Sequence, residues 1–297
     1  MGREVVTAKN VLEIRKGPPP HWVGDGFPVR SMFSYHSDAE ALSPFLLLDY
    51  AAPAAIAPSD EPRGVGEHPH RGFETVTLVY QGEVEHRDSA GNRGHIGPGD
   101  VQWMTAASGV VHEEMHGREF ARKGGTIEMV QLWVNLPAKL KMSPPRYQDI
   151  LGRQIPTVPL AGGGGTVRVI AGEFQGAKGP ARTFTPVSLW DVRLAAGHDV
   201  ELNFPEGHTT AVLVLRGDVD VNGSEPASDA ELVLFDRRGG AISLHARTDA
   251  TLLVMSGEPI EEPVVGYGPF VMNTQAEIRQ AIRDYQAGKM GALTARG

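Results

Sequence analysis

The run Thr75-Val76-Thr77-Leu78-Val79-Tyr80 is β-branched, aliphatic or aromatic throughout, and it lies between two polar pairs of matching spacing. Before it stands His68-Pro69-His70. After it, beyond the turn Gly97-Pro98-Gly99-Asp100, stands His112-Glu113-Glu114. Side chains of this kind suit a pleated surface, so the run predicts a strand. On a strand, residues i and i+2 point to one face, about 6.6 Å apart. His68 and His70 form one such pair, and His112 and Glu114 form a second if residues 110–115 are also extended. With the two strands facing each other inside a barrel, three imidazoles and one carboxylate converge. That donor set binds a divalent transition metal and leaves positions for water or substrate. One His-x-His in a polar stretch is more often a solvated pair; the second pair, placed after a turn, is what points to a site.

Two other readings compete. His112-Glu113-Glu114-Met115-His116 matches the His-Glu-x-x-His signature of zinc proteases, which needs a helix so that i and i+4 share a face. On a strand those histidines stand about 13 Å apart, too far to share an ion. Ser108-Gly109-Val110-Val111 before the motif and Gly117 directly after it leave no room for helical turns, so the protease is disfavoured. Glu74 lies four residues after His70 at matching parity and is an alternative carboxylate donor. Glu114 is preferred because it is paired with His112 at i+2.

The length of 297 residues allows one large domain or two of about 150. A hydrophobic fraction of 41% suits an ordinary globular chain. The formal charge of −8 disfavours generic attraction to phosphate backbones, so no direct nucleic-acid partner is expected. With no cysteine, disulfides, zinc thiolates, iron–sulfur clusters and thiol catalysis are excluded. The first residues carry no apolar secretion segment, and the longest apolar runs, such as Phe45-Leu46-Leu47-Leu48, are too short to span a bilayer. A cytoplasmic protein without a membrane partner is expected.

Short strands separated by glycine and proline turns predict an all-β barrel or sandwich. Residues 45–50 read as a strand, 51–66 as a loop leading into His68, 84–87 as an alternating strand, and 126–136 as a strand ending at Pro137. Residues 139–150, with Ser143-Pro144-Pro145, read as a linker. Gly162-Gly163-Gly164-Gly165 has neither a following helix nor a closing Lys-Ser/Thr, so it predicts a turn rather than a phosphate cradle. The second half then echoes the first: Thr210-Ala211-Val212-Leu213-Val214-Leu215-Arg216-Gly217 repeats the pattern of Thr75 to Gly82. Aligning Gly217 with Gly82 puts Asn203, Pro205 and Thr209 at the positions of His68, His70 and Glu74, so the second copy lacks the ligands. His208 and His245 have no partner at i+2 and read as ordinary histidines. The expected organisation is a metal-bearing barrel over 1–140 and a barrel without ligands over 141–297. The latter ends in a helix with Thr274 as N-cap, Glu277 completing a capping box, an apolar stripe of Ile278, Ala281, Ile282 and Tyr285, and Gly288 as the stop.

Several segments resemble the pirins, metal-binding members of the cupin superfamily. They are His68-Pro69-His70-Arg71-Gly72-Phe73-Glu74-Thr75-Val76, Pro98-Gly99-Asp100-Val101-Gln102-Trp103-Met104-Thr105-Ala106, Gly109-Val110-Val111-His112-Glu113-Glu114-Met115, Gln131-Leu132-Trp133-Val134-Asn135-Leu136 and Gly268-Pro269-Phe270-Val271-Met272-Asn273-Thr274. The resemblance covers nearly the whole chain, in order. It implies two tandem cupin (jelly-roll) β-barrels with a short C-terminal helix. It also implies a metal site in the first barrel made by His68, His70, His112 and Glu114, in agreement with the strand parity. The family metal is usually iron, so Fe(2+) is the expected cofactor, although the same donors accept nickel, manganese, cobalt or zinc. One departure is Glu113, where relatives often have a small residue; on a strand it points away from the site. The resemblance further implies quercetin 2,3-dioxygenase activity on a flavonol-like substrate with dioxygen. The metal would chelate the flavonol hydroxyl and keto oxygens, Glu114 would act as general base, and ring opening would release carbon monoxide. A second implied role is regulatory, with a transcription factor or metabolic enzyme as protein partner and the metal as a redox switch.

Overall fold

The Thr75–Tyr80 run lies inside the strand Phe73–Gln81, which pairs antiparallel with Val101–Thr105 on one side and Gly125–Asn135 on the other. In the computed structural model, which describes residues 7–294, this strand is the third of seven. The sheet runs Arg146–Ile150, Val101–Thr105, Phe73–Gln81, Gly125–Asn135, Phe45–Ile56, Phe27–Ser34, His21–Val23. A four-stranded sheet in the same unit runs Gly64–His70, Val110–His116, Val84–Asp88, Arg93–Ile96. These two sheets carry the features expected of a jelly-roll barrel. Val79, Val84, Ile96, Ile127 and Met129 belong to its apolar core. From Met129↔Val79 the paired residues of one parity become polar, through Gln131↔Thr77 to Trp133↔Thr75. The barrel therefore offers an apolar floor and a polar interior nearer the His68–His70 end.

Two segments expected to be irregular are strands. Residues 51–56 continue the strand Phe45–Ile56, and Gly64–His70 is extended, so the loop before His68 is much shorter than 51–66. Pro53 is tolerated because it falls at the register shift opposite Ile127 and Met129, where its missing N–H removes no regular ladder bond. Within 139–150, Arg146–Ile150 is a strand that pairs with Val101–Thr105. It becomes the edge strand of the sheet beside Val101–Thr105.

The second unit repeats the arrangement. Its seven-stranded sheet runs Val11–Lys16, Glu231–Phe235, Thr209–Arg216, Ala250–Gly257, Val187–Leu194, Gly165–Ala171, Thr157–Pro159. Its four-stranded sheet runs Asp199–Asn203, Ala241–Ala246, Val219–Val221, Glu225–Ala227. The inward residues of the strand Asp199–Asn203 are not those given by the Gly217 alignment. In the strand Asp199–Asn203 burial alternates, with Val200 and Leu202 inside and Asn203 exposed. Leu202, Phe204, Ile242 and Leu244 join Trp190 and Leu252 in one apolar core. The offset arises because five residues, 204–208, connect these strands, where only Arg71 and Gly72 connect their counterparts.

The units also divide the chain differently from 1–140 and 141–297. One contains Arg153–Pro259 together with the segment ending at Gly17; the other contains Pro18–Gly152 together with the chain from Ile260 onward. Val11–Lys16 is taken up as the edge strand beside Glu231–Phe235. The C-terminal helix Gln275–Gln286 packs Ile278 and Ala281 with Val111, Phe270 and Met272 of the same unit as Pro18–Gly152. Thr274 caps this helix by accepting from the Glu277 N–H at 3.2 Å, while the Glu277 carboxylate accepts from Asn273 N–H and the Thr274 hydroxyl. Tyr285 leaves the expected apolar stripe and is 40% exposed. Asp284 is buried instead, 2.9 Å from Arg71. None of the helices in the described residues is long and apolar enough to cross a membrane.

Candidate metal centre

The strands Gly64–His70 and Val110–His116 are hydrogen-bonded neighbours in one sheet rather than opposed walls, and His68 is the register partner of His112. Between His68 and Val65 the first strand carries one residue more than its partner has between His112 and Glu114. Such a bulge turns a side chain out of the regular pleat. Here the Gly66 carbonyl lies 2.7 Å from His68 Nδ1. His68, His70 and His112 each offer a ring nitrogen within 4.8 Å of the others. The rings sit 4.2 to 4.9 Å apart between centroids.

Hydrogen bonding decides which nitrogen each ring presents. His68 Nδ1–H donates to the Gly66 carbonyl and His70 Nδ1–H to the Pro269 carbonyl at 3.3 Å. His112 Nδ1 is engaged by His86 at 3.3 Å, and its Nε2 is buried without a partner. His68 and His70 thus present Nε2 lone pairs, the form that ligates a metal, toward the bare Nε2 of His112. Burial, and then the neighbouring His68, hold His70 well below the ordinary imidazole range, against the opposing pull of the Pro269 carbonyl. Burial also depresses His112, followed by His68, His70 and His86. Neutral rings keep their lone pairs available. An orphaned, buried Nε2 on His112, beside the rings of His68 and His70, fits a divalent cation.

The Glu114 carboxylate falls outside that three-nitrogen group. It is buried and accepts from the Thr77 hydroxyl at 3.0 Å, Gln102 Nε2 at 3.2 Å and Gln131 Nε2 at 2.7 Å. Glu74 does not join the site. It lies an odd number of residues from the inward-pointing Thr77 on an unbroken strand, hence on the opposite face. Its carboxylate accepts from Thr105 at 2.7 Å, and Arg146 stands 3.9 Å away. Burial raises Glu74 to about 7, opposed by hydrogen bonds from Thr105 and Trp103 and by Arg146. The chain reverses at Arg71 and Gly72, so parity does not carry from His70 to Glu74. Glu113 points outward and pairs with Arg87. The outward residues Glu85, Arg87, Glu113 and Met115 help line a groove of about 990 Å³ on the reverse of the four-stranded sheet.

The sequence reading missed two inward residues, His86 and Asp88, 3.2 Å apart on the strand Val84–Asp88. Their i, i+2 spacing is the signal used for His68 and His70, and it was available. It also missed Trp133, whose ring lies 5.1 Å from His70 and stacks on Phe73 at 4.2 Å. His68, Gln131 and Trp133 are half-buried while His70, His112 and Glu114 are buried, so the cluster opens toward solvent past an aromatic wall.

Two jelly-roll barrels in one chain, with a group of imidazoles able to hold a metal found, among the described residues, in one of them, define a tandem cupin. The Pirin family model matches residues 26–134, and the Pirin C-terminal cupin domain model matches residues 189–291. The chain belongs to the pirin family. A Pseudomonas aeruginosa relative named "Putative quercetin 2,3-dioxygenase" is 57% identical over 281 residues, covering 95% of this chain and 98% of its own. Pirin-like protein 2 of Arabidopsis thaliana is 41% identical, covering 90% of this chain and 81% of its own. The crystal structure of quercetin 2,3-dioxygenase from Acinetobacter baumannii superposes with a TM-score of 0.94 at 53% identity, over 97% of this chain and 100% of its own.

Proposed function

We propose that this protein is a metal-dependent dioxygenase of the quercetin 2,3-dioxygenase type, with His68, His70 and His112 as imidazole ligands and Glu114 as both carboxylate ligand and general base. The observation that carries this reading is the convergence of three imidazoles, with a bare, buried Nε2 on His112, beside the half-buried Trp133. A divalent ion held there, Fe(2+) in this reading, would chelate adjacent hydroxyl and keto oxygens of a flavonol and bring dioxygen to it. The half-buried Trp133 ring, backed by the buried Phe73 ring stacked on it, provides a flat apolar wall for an aromatic substrate. A carboxylate has about four acceptor sites, and Glu114 uses three, on Thr77, Gln102 and Gln131. The remaining one, on Oε2, would serve the ion and, once released from it, accept the flavonol hydroxyl proton. The three donors hold the group in place while it does so. Both oxygen atoms of O₂ enter the products as the ring opens and carbon monoxide leaves. The names of the two bacterial relatives support the same substrate class.

The test is oxygen uptake by iron-loaded protein with quercetin under air. Consumption of O₂ with matching release of CO, absent from His70→Ala, is expected. Uptake no greater than that of His70→Ala would remove the proposal.

A further inference from the structure

We infer that His86 and Asp88 are positioning residues that set the tautomer of His112, through a hydrogen-bond chain running from Asp88 through His86 to His112. The inference rests on His112 being a metal ligand. Its starting point is Gln102. The Glu114 carboxylate can only accept, which fixes the amide so that Nε2 faces inward, and the Tyr147 hydroxyl then donates to Gln102 Oε1 at 3.2 Å. Gln102 Nε2 then donates to Glu114 Oε1 at 3.2 Å and toward His86 Nδ1 at 3.4 Å. A nitrogen that receives a donor is the lone-pair nitrogen of its ring. His86 Nδ1 is therefore the acceptor, and its proton is on Nε2. That Nε2–H donates to Asp88 Oδ2 at 3.2 Å.

The same conclusion fixes the next ring. His112 Nδ1 lies 3.3 Å from His86 Nδ1, and since His86 accepts there, His112 must donate. Its proton is on Nδ1, and Nε2 is left bare toward His68 and His70. Asp88 is anchored in turn. Its Oδ1 accepts from Ala90 N–H at 2.9 Å and Asn92 N–H at 3.0 Å, and Oδ2 accepts from Asn92 Nδ2 at 2.9 Å. The His86 ring is also stacked on Tyr147, with centroids 4.9 Å apart and planes inclined by 17°. Every donor and acceptor in the chain agrees on one protonation pattern, and that pattern points a lone pair at the cluster.

Asp88→Asn inverts the logic. Asn Oδ1 still accepts from the turn, but an amide N–H now meets His86 Nε2, which pushes the His86 proton to Nδ1 and the His112 proton to Nε2. His86→Phe keeps a ring of similar volume and removes the acceptor. Three readouts test the chain. In metal-free wild type, long-range ¹H–¹⁵N correlations should find His112 protonated on Nδ1, and in Asp88→Asn on Nε2. Co²⁺ affinity should fall about ten- to a hundred-fold in each variant, the usual loss when an orienting partner of a metal-bound histidine is removed. The visible Co²⁺ spectrum should change as well. A wild-type His112 protonated on Nε2 overturns the inference without any variant. So does a folded Asp88→Asn or His86→Phe whose Co²⁺ affinity stays within twofold and whose spectrum is unchanged. Wild type that binds Co²⁺, yet in its iron form consumes no oxygen with quercetin, removes the dioxygenase and leaves this chain standing. Wild type that takes up no metal removes both.

Discussion

Lys141 is 1% exposed, and its ammonium group is surrounded by acceptors. Nζ lies 2.6 Å from Asn135 Oδ1, 2.7 Å from the Gly72 carbonyl and 3.0 Å from the Val271 carbonyl. Three donors meet three acceptors, and two of those are backbone oxygens within two residues of His70 and of Pro269. Burial pushes Lys141 from 10.5 down to about 7, partly offset by Glu262 and Glu277. The folded value lies below the unfolded one, so between pH 7 and 10.5 the unfolded chain binds more protons. Stability must therefore rise with pH across that window. The slope reaches about 1.4 kcal/mol per pH unit, or roughly 3 kcal/mol between pH 7 and 9.5. Lys141→Met keeps the unbranched stem and removes the titration. It also strips the Gly72 and Val271 carbonyls of their donor, at about 1–3 kcal/mol each, while Asn135 Oδ1 keeps the Leu136 N–H at 3.0 Å. Urea unfolding of both proteins at pH 7 and 9.5 is the assay. The stability gap, wild type minus Lys141→Met, should widen with pH and favour wild type by about 2–5 kcal/mol at the upper value. Equal slopes for the two proteins, or a gap that narrows as pH rises, would refute the reasoning.

Other outcomes follow from the same structure. Glu74→Gln should leave Co²⁺ affinity unchanged, since Glu74 lies on the opposite face. It should also abolish a fall in stability between pH 4.5 and 7, of about 3 kcal/mol, because a carboxyl raised to about 7 binds more protons folded than unfolded; urea unfolding across that range checks it. Ile278→Ala should cost about 2–5 kcal/mol by leaving a void against Val111, Phe270 and Met272, read as a lower denaturation midpoint. Saturating Co²⁺ at a hundred times its Kd should add about 2.7 kcal/mol to the stability of wild type and nothing comparable to His70→Ala, measured by thermal melting with and without metal.

The imidazole cluster was legible because a strand has period two and its three histidines lie in two short segments that pair with each other. The His86–Asp88 pair was written in the same code, but its strand offered only an alternating pattern with no second metal-like motif beside it. What lay outside reach was non-local. The carbonyl that orients His70 belongs to Pro269, and the acid that holds Arg71 belongs to Asp284, 199 and 213 residues along the chain from their partners. A backbone oxygen has no sequence signature, and a charged residue on an amphipathic helix reads as a solvated face. The ends of the barrels were misplaced for a related reason. The edge strands Val11–Lys16 and Arg146–Ile150 are half-exposed, so their composition does not say which sheet they complete. The Gly217 alignment gave the second barrel the wrong parity, because the connection there is three residues longer and Leu202 and Phe204, not Asn203 and Pro205, enter the core.

The Pro269 carbonyl bears on the order in which the protein is made. A ribosome that has translated as far as residue 260 has already emitted every imidazole of the cluster, but not the oxygen that aims His70, nor the helix carrying Asp284. A nascent chain at that stage holds the donors without their final alignment.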